Sequence, residues 1–152
     1  MSFLEYYSAE GFGQVTRKKY GFSDACIVGD RIEVTGQVGI NPATLQVPAE
    51  LVEEINQAFN NLEQVINIAL SHSSSGTNCN GGSSMSVWDY VVKITSYHVN
   101  LSQDRSRVRD IMVRLLKERF TVHQPLFTML GVESLPLEDT NVEIEALVYI
   151  RQ

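Results

Sequence analysis

Apolar residues recur along this chain with two periods, every second residue in some segments and every third or fourth in others. Residues 31–38 alternate strictly, which is typical of a strand with one buried face. One face of this strand carries Ile32, Val34, Gly36 and Val38. Residues 24–28 precede a Gly-Asp turn and are expected to pair with the strand as a hairpin. Further strands are predicted near Trp88 and at residues 126–132 and 142–150.

Two other segments carry apolar residues at the three- and four-residue spacing of an amphipathic helix. The first helix is predicted to start near Pro48, and its apolar stripe consists of Leu51, Ile55, Phe59, Leu62, Ile66 and Ala69. The stripe of the second consists of Val108, Ile111, Met112, Leu115 and Leu116. Acidic residues outside the first stripe, such as Glu54, are expected to face solvent. This order of elements predicts an α+β fold in which two helices cover one face of a single-layer sheet.

A polar segment rich in serine and glycine, residues 71–87, follows the first helix. Because it has no periodicity, it is expected to be a solvated loop. A phosphate-binding loop is disfavoured, since the segment contains no lysine and no helix opens directly after it. A chain of 152 residues is long enough to bury one core, so we expect a single domain over residues 1–152.

Net charge and hydropathy narrow the classes of partner. Twelve lysine and arginine residues against 18 aspartate and glutamate residues give a net charge of -6, which disfavours nucleic acid. No apolar run approaches the roughly 20 residues that a membrane-spanning helix needs. The N-terminal residues also lack the basic start and apolar core of a signal peptide. We therefore expect a cytoplasmic protein that binds neither nucleic acid nor membrane.

Cysteine and histidine usage gives no sign of a metal centre. Cys26 and Cys79 are expected to be free thiols. No two of the three histidines share the spacing of metal ligands, so neither a metal nor another cofactor is expected. His123 lies closest to the motifs described next, and a hydrogen-bonded role is favoured for it over acid/base catalysis.

Three motifs together resemble one protein family. They are TGQVGINP at residues 35–42, WDYVVKIT at 88–95 and HQPLFTMLGVESLPLEDTNVEIEALVYI at 123–150. Their order is similar to that in the Rid proteins, the reactive-intermediate (imine or enamine) deaminases, also called the YjgF or L-PSP endoribonuclease-like family. The resemblance implies a mixed sheet and a homotrimer that binds small molecules in clefts between neighbouring subunits. Compared with that family, residues 71–87 look like an insertion.

The resemblance extends unevenly to individual site residues. Gly36 matches the family glycine whose backbone approaches the ligand, and Glu143 matches the carboxylate that positions the attacking water. Phe127 stands where the family has an arginine that binds the substrate carboxylate, a task suited to the forked guanidinium group. Phe22 replaces a tyrosine, and Met129 replaces a cysteine found in many members. The resemblance therefore implies a more apolar substrate site.

Three functions remain open on these grounds. The first is a divergent enzyme in which Glu143 promotes imine or enamine hydrolysis, or related proton transfer, on a relatively apolar metabolite. The second is a trimeric small-molecule-binding protein without catalysis, and the third and weakest is an endoribonuclease. Hydrolysis of ordinary imino acids is not expected without the arginine. Phe127 and Met129 lie two apart on one strand and can line one pocket wall, although both can instead be ordinary core residues.

Overall fold

The computed structural model describes residues 4–73 and 85–150. The strands are β1 (Glu5–Tyr7), β2 (Ala25–Val28), β3 (Arg31–Val38), β4 (Val91–Val99), β5 (Leu126–Val132) and β6 (Val142–Tyr149). The α-helices are α1 (Phe12–Tyr20), α2 (Leu51–His72) and α3 (Arg105–Arg119), and a short 3-10 helix spans Val87–Tyr90.

The strands form one open sheet in the order β1-β2-β3-β6-β4-β5. The β4–β5 pair is parallel, whereas the other neighbouring strands are antiparallel. Parallel neighbours need a long crossover, and α3 supplies it between β4 and β5. The prediction of a single mixed sheet in an α+β fold is therefore confirmed.

The core lies between the sheet and the apolar stripes of α2 and α3. Alternate residues of β6 face this core, and the buried set comprises Val142, Ile144, Ala146 and Val148. The helices contribute, among others, Ile55, Phe59, Leu62 and Ile66 from α2 and Val108, Met112 and Leu115 from α3. Both predicted helical stripes thus pack as expected. Within the two described ranges, no helix is long and apolar enough to cross a membrane.

Several element boundaries differ from the sequence-based expectations. α1 and β1 were not predicted, because α1 carries few apolar residues and β1 is only three residues long. α2 begins at Leu51 rather than near Pro48, with Glu50 in an extended conformation before it. The residues from Trp88 to Tyr90 are 3-10 helical rather than extended. α2 also continues through Ser71 and His72, and residues 74–84 of the predicted loop lie outside the described residues.

The regular alternation predicted for β3 is interrupted by a bulge. The register between β3 and β6 shifts between Val34 and Gln37, so that Gln37 lies beside Ile144 and Val38 beside Glu143. As a result Gln37, which alternation places on the polar face, is buried. A bulge of this kind bends the strand and redirects its side chains, and here it does so at Gly36.

Polar contacts from α2 fix the end of β3 and the start of β6. The Asn61 amide donates to the carbonyl oxygens of Val38 and Ile40 at 2.8 and 2.7 Å. The Glu54 carboxylate accepts hydrogen bonds from the Asn141 backbone N–H at 2.6 Å and its side-chain amide at 2.9 Å. Only 1% of Glu54 is exposed, which corrects the expectation that it faces solvent. These contacts hold the backbone immediately before Glu143.

A candidate ligand cavity beside the bulge of β3

A cavity of about 420 Å³ lies where α1, the bulge of β3 and the start of β6 meet. Its wall is formed by Phe12, Thr16, Tyr20, Phe22, Asp24, Thr35, Gly36, Gln37, Val38, Pro136, Leu137 and Glu143. Most of these side chains are apolar or aromatic, and a few polar groups converge among them. Such a lining is typical of small-molecule sites.

Gly36 and Glu143 are in direct contact at the floor of this cavity. A Cβ atom added to Gly36 would overlap the Glu143 carboxyl group, mainly its Oε1 atom. The absence of a side chain at Gly36 therefore creates the space that the carboxylate occupies. The structure brings together the two residues that the sequence motifs singled out most strongly, and it does so through the bulge of β3 and the pairing of β3 with β6.

The surroundings of Glu143 favour its protonated form. Burial raises the pKa of Glu143, and the nearby charge of Glu145 on the same face of β6 raises it further. The Tyr97 hydroxyl donates a hydrogen bond to Glu145 Oε1 at 2.9 Å. This bond is also the main reason that the pKa of Tyr97 is raised. A carboxyl group whose pKa is raised towards neutrality can both accept and return a proton.

Asp24 is a second carboxyl group in the cavity wall, and the sequence motifs did not single it out. Only 4% of this residue is exposed. Its Oδ2 atom accepts a hydrogen bond from the Ala9 backbone N–H at 2.8 Å, and the Gln37 side chain donates a second hydrogen bond. Burial raises the pKa of Asp24, while these two hydrogen bonds act in the opposite direction. Gly13 provides the room for this carboxyl group, because an added Cβ would overlap Oδ2.

No pattern in the sequence predicts that Asp24 lines a cavity. Its position depends on the unpredicted helix α1, which carries Gly13, and on the bulge that turns Gln37 inward. The available signal was a lone acidic residue at the start of a strand that otherwise reads as apolar. Asp24 also lines a wider adjoining groove of about 780 Å³, together with Phe22 and Thr35.

Phe22 lies at the junction of the cavity and the groove, as a residue of both walls. Its ring stacks on that of Tyr20, with centroids 6.4 Å apart and planes 11° from parallel. Nearly half of Phe22 is exposed nonetheless. Phe22 therefore lies in the wall of the candidate cavity, with its ring stacked on Tyr20 at the end of α1.

Phe127 and Met129 do not line this cavity. Both lie on the edge strand β5, beside Ile94 and Ser96 of β4, and β4 separates them from β6. Met129 packs against the core, as the core interpretation of this residue expected. Phe127 remains 37% exposed, which is unusual for a large aromatic residue that faces the helix side of a sheet.

The histidines occupy structural positions. His123 Nε2 lies 2.8 Å from the Val91 carbonyl oxygen, in keeping with the favoured hydrogen-bonded role. His98 is buried beside Ser96, at 2.9 Å from its hydroxyl group, and His72 contacts the Ile68 carbonyl oxygen at the end of α2. In residues 4–73 and 85–150, no group of three or more histidine, cysteine or acidic residues is arranged to hold a metal ion.

Comparison with known proteins identifies the family. The profile of the family described as endoribonuclease L-PSP matches residues 16–150. A 2-iminobutanoate/2-iminopropanoate deaminase from Dermatophagoides farinae is 31% identical over 130 residues, which cover 85% of each chain. The YjgF gene product of E. coli has a similar structure, with a TM-score of 0.66 and 25% identity over 86% of this chain and 88% of that one.

The yeast protein YEO7 shares the fold over nearly the full length of both chains. Its TM-score is 0.74 at 20% identity, and the match covers 97% of this chain and 99% of the yeast chain. The family profile covers Gly36, Glu143 and all of β2 to β6. The chain therefore belongs to the endoribonuclease L-PSP family, which includes the Rid and YjgF proteins.

Proposed function

We propose that this protein hydrolyses an imine or enamine of a small, relatively apolar metabolite, with Glu143 as the acid/base residue. The observation that carries the proposal is the contact between Gly36 and Glu143, which seats a carboxyl group of raised pKa in a mostly apolar cavity. The deaminase relative from Dermatophagoides farinae supports this class of reaction.

The proposed chemistry needs only water and one group that can carry a proton. Glu143 takes a proton from water as the water oxygen bonds to the imine carbon, and the carbon–nitrogen double bond becomes single. Glu143 returns this proton to the nitrogen, which gives a neutral carbinolamine. Glu143 then takes the proton of the carbinolamine hydroxyl group and returns it to the nitrogen as the carbon–nitrogen bond breaks, so that an amine or ammonia leaves and a carbonyl compound remains. Burial of Glu143 suits it to this exchange, because a raised pKa brings proton uptake and release closer to neutral pH.

We further propose that the active form is a homotrimer in which β5 of a neighbouring subunit closes the cavity. Large apolar residues of this edge strand are exposed in a single chain, namely Leu126, Phe127 and Leu130. Exposed apolar side chains on a sheet edge favour burial against another chain. In this arrangement Phe127 faces the substrate from the neighbouring subunit, while Met129 beside it packs against the core of its own chain.

A substrate site with Phe127 in this position discriminates against imino acids that need an arginine to hold their carboxylate. Phenylalanine offers no donors, and the loss of a paired charge-assisted anchor costs about 1.5–3 kcal/mol or more. We therefore expect slower turnover of 2-iminobutanoate than of an imine with a larger apolar body. A protein that binds the same molecules without hydrolysing them is the alternative, and turnover distinguishes the two.

The test compares imine hydrolysis by the natural protein and by Glu143→Gln. Imines are generated in the assay by an amino-acid oxidase or dehydratase and trapped as semicarbazones, so that hydrolysis lowers the semicarbazone signal. Glu143→Gln keeps the size of the side chain but cannot carry the proton, and we expect it to reduce turnover by roughly a hundredfold. Glu53→Gln is the matched control, because Glu53 is exposed on α2 and the change in net charge is equal.

Retention of full activity by Glu143→Gln contradicts the role of Glu143. Absence of hydrolysis by the natural protein for aliphatic and aromatic imines alike, with binding intact, favours the non-catalytic alternative. Equal loss of activity in Glu53→Gln attributes the effect to net charge instead of to the cavity.

A further inference from the structure

The charged groups of the cavity wall are of one sign. Asp24 and Glu143 both line it, and no lysine or arginine does so among the residues that the structure describes. Asp24 immediately precedes β2, whereas Glu143 lies on β6. Unrelated contacts hold the two carboxyl groups: the Ala9 N–H and Gln37 hold Asp24, and Glu143 lies against Gly36. A ligand in this cavity therefore meets two acidic groups and no compensating cation.

The other residues of the cavity wall favour a ligand with an apolar body and a positively charged end. Three aromatic rings, those of Phe12, Tyr20 and Phe22, border the same space. Aromatic faces attract cations, and the attraction strengthens when the cation is removed from water. Pro136 and Leu137 close the wall beside them without offering a charged side chain.

We propose that this cavity selects a ligand with a cationic nitrogen, a protonated amine or iminium group on an apolar body, and that it excludes ligands whose only charge is a carboxylate. The inference rests on the function proposed above, since it names the substrate class of the same site. It adds Asp24 as a specificity-determining residue that faces the cationic nitrogen together with Glu143.

The raised pKa values of the two carboxyl groups also favour a cationic ligand. Burial raises the pKa of Asp24 and of Glu143, because it removes water from around each anion, and the charge of Glu145 raises that of Glu143 further. A bound ammonium or iminium group supplies the missing positive charge. An anionic ligand adds negative charge beside two acidic groups in a partly dehydrated space, where repulsion is stronger than in water.

The adjoining groove does not supply an anchor for a carboxylate. Arg17 of α1 lines this groove, but so do Asp24, Glu33 and Glu145. Its guanidinium group is exposed to solvent, where charge interactions are weak and screened by salt. The carboxylates therefore outnumber the single arginine, and the groove extends the acidic character of the cavity.

Binding of unreactive probes tests the inference separately from turnover. The probes share a phenylethyl body and differ in charge: 2-phenylethylamine, 2-phenylethanol and 3-phenylpropionate. We expect the amine to bind at least roughly tenfold more tightly than the alcohol, and the carboxylate most weakly, because hydrogen bonds between oppositely charged groups are stronger than neutral ones. Dissociation constants are measured by calorimetry on the full chain at low salt and at about 0.5 M salt, since a partly buried interaction resists screening.

Variants of the two cavity carboxyl groups test whether these groups cause the preference for the amine. Asp24→Asn keeps the shape of the side chain and an oxygen that can accept from the Ala9 N–H, and we expect it to weaken amine binding roughly tenfold with little change for the alcohol. Glu143→Gln is a second variant with the same expectation, which covers the case that Asp24→Asn does not fold. Glu53→Gln changes net charge equally at an exposed position of α2 and should leave all three affinities unchanged.

The outcomes separate this inference from the proposed function. If 3-phenylpropionate binds as tightly as the amine, or if both cavity variants leave amine binding unchanged, the inference is wrong even where imines are hydrolysed. Selective amine binding that depends on Asp24 or Glu143 supports the inference, even where no imine is hydrolysed and the proposed reaction fails.

Discussion

Gly36 and Gly39 lie three residues apart near the end of β3, yet the space beside each is filled by a different kind of atom. A Cβ on Gly36 would meet the Glu143 side chain, from its Cγ atom to its carboxyl oxygen, and no backbone atom of that residue is among its nearest neighbours. A Cβ on Gly39 would meet the backbone carbonyl of Glu54 in α2 as well as its side chain. A side-chain end can rotate away, whereas a helix backbone cannot move without disturbing the core. A substitution at Gly36 is therefore expected to affect function, and one at Gly39 to affect stability.

We predict that Gly36→Ala loses activity while remaining folded. The added methyl group displaces the Glu143 carboxyl group, and a shift of about 1 Å at a reacting group commonly costs on the order of a hundredfold in rate. Gly39→Ala is expected to destabilise the fold instead, by about 1–3 kcal/mol, because overpacking forces α2 from β3. Thermal unfolding and imine turnover, measured on both variants, check the pair. A large fall in the melting temperature of Gly36→Ala would contradict the first expectation.

Part of the candidate cavity is predictable from the sequence. Gly36 and Glu143 each lie in a motif of local residues, and the structure places both in the cavity wall. Asp24 and the burial of Glu54 could not be predicted in this way, since both depend on contacts across long stretches of chain. Glu54 meets Asn141, 87 residues away, and Asp24 meets Ala9 across an unpredicted helix. Hydrophobic periodicity carries no information about such pairings.

Among the elements, β4 contains an unusual buried polar pair. His98 and Ser96 lie on its core side, where an apolar residue is the norm, and only 1% of His98 is exposed. The two side chains are 2.9 Å apart, and His98 Nδ1 has no hydrogen-bond partner within the described residues. Burial lowers the pKa of His98 to about 4, from an ordinary value of 6.5.

We predict that the free energy of unfolding falls in mild acid because His98 is buried. Between the two pKa values the unfolded chain binds a proton at His98 and the folded chain does not, so folding stability falls as the pH drops from 6.5 towards about 4. Between pH 7.5 and pH 5 the loss is about 2 kcal/mol at 1.36 kcal/mol per pKa unit. Urea unfolding at one protein concentration measures it. The double variant Ser96→Ala, His98→Leu removes both polar groups, and the same pH dependence in that variant would rule out His98 as its source.

The helices show why elements are easier to predict than their boundaries. The stripes of α2 and α3 repeat over several turns and identify both helices, because burial on the sheet requires that spacing. α1 has nine residues and few apolar positions, and its value to the fold is local: it carries Gly13 next to Asp24 and three residues of the cavity wall. A short helix that lines a cavity and contributes little to the core has few apolar residues, so apolar periodicity does not predict it.

For the whole molecule, the pattern of elements predicts the architecture but not the order of strands. Six strands and the α3 crossover admit several arrangements, and the placement of β6 between β3 and β4 joins residues far apart in sequence. This placement brings Glu143 beside the bulge of β3. The same order leaves β5 at an edge, where Phe127 and Leu130 remain exposed.

We predict that the protein is a trimer held together partly by the exposed edge strand β5. Leu130 is 44% exposed on β5, and Val113 is 40% exposed on α3, so the two offer similar apolar surface at different places. We expect light scattering coupled to size exclusion to give three times the chain mass of 17.0 kDa for the natural protein. Leu130→Glu should reduce the mass and the imine turnover together, because a charge buried at an interface without a partner commonly costs several kcal/mol. Val113→Glu should retain both. A monomeric natural protein at micromolar concentration, or a Leu130→Glu variant that stays trimeric and active, would contradict closure of the cavity by β5 and return Phe127 to the role of an exposed edge residue.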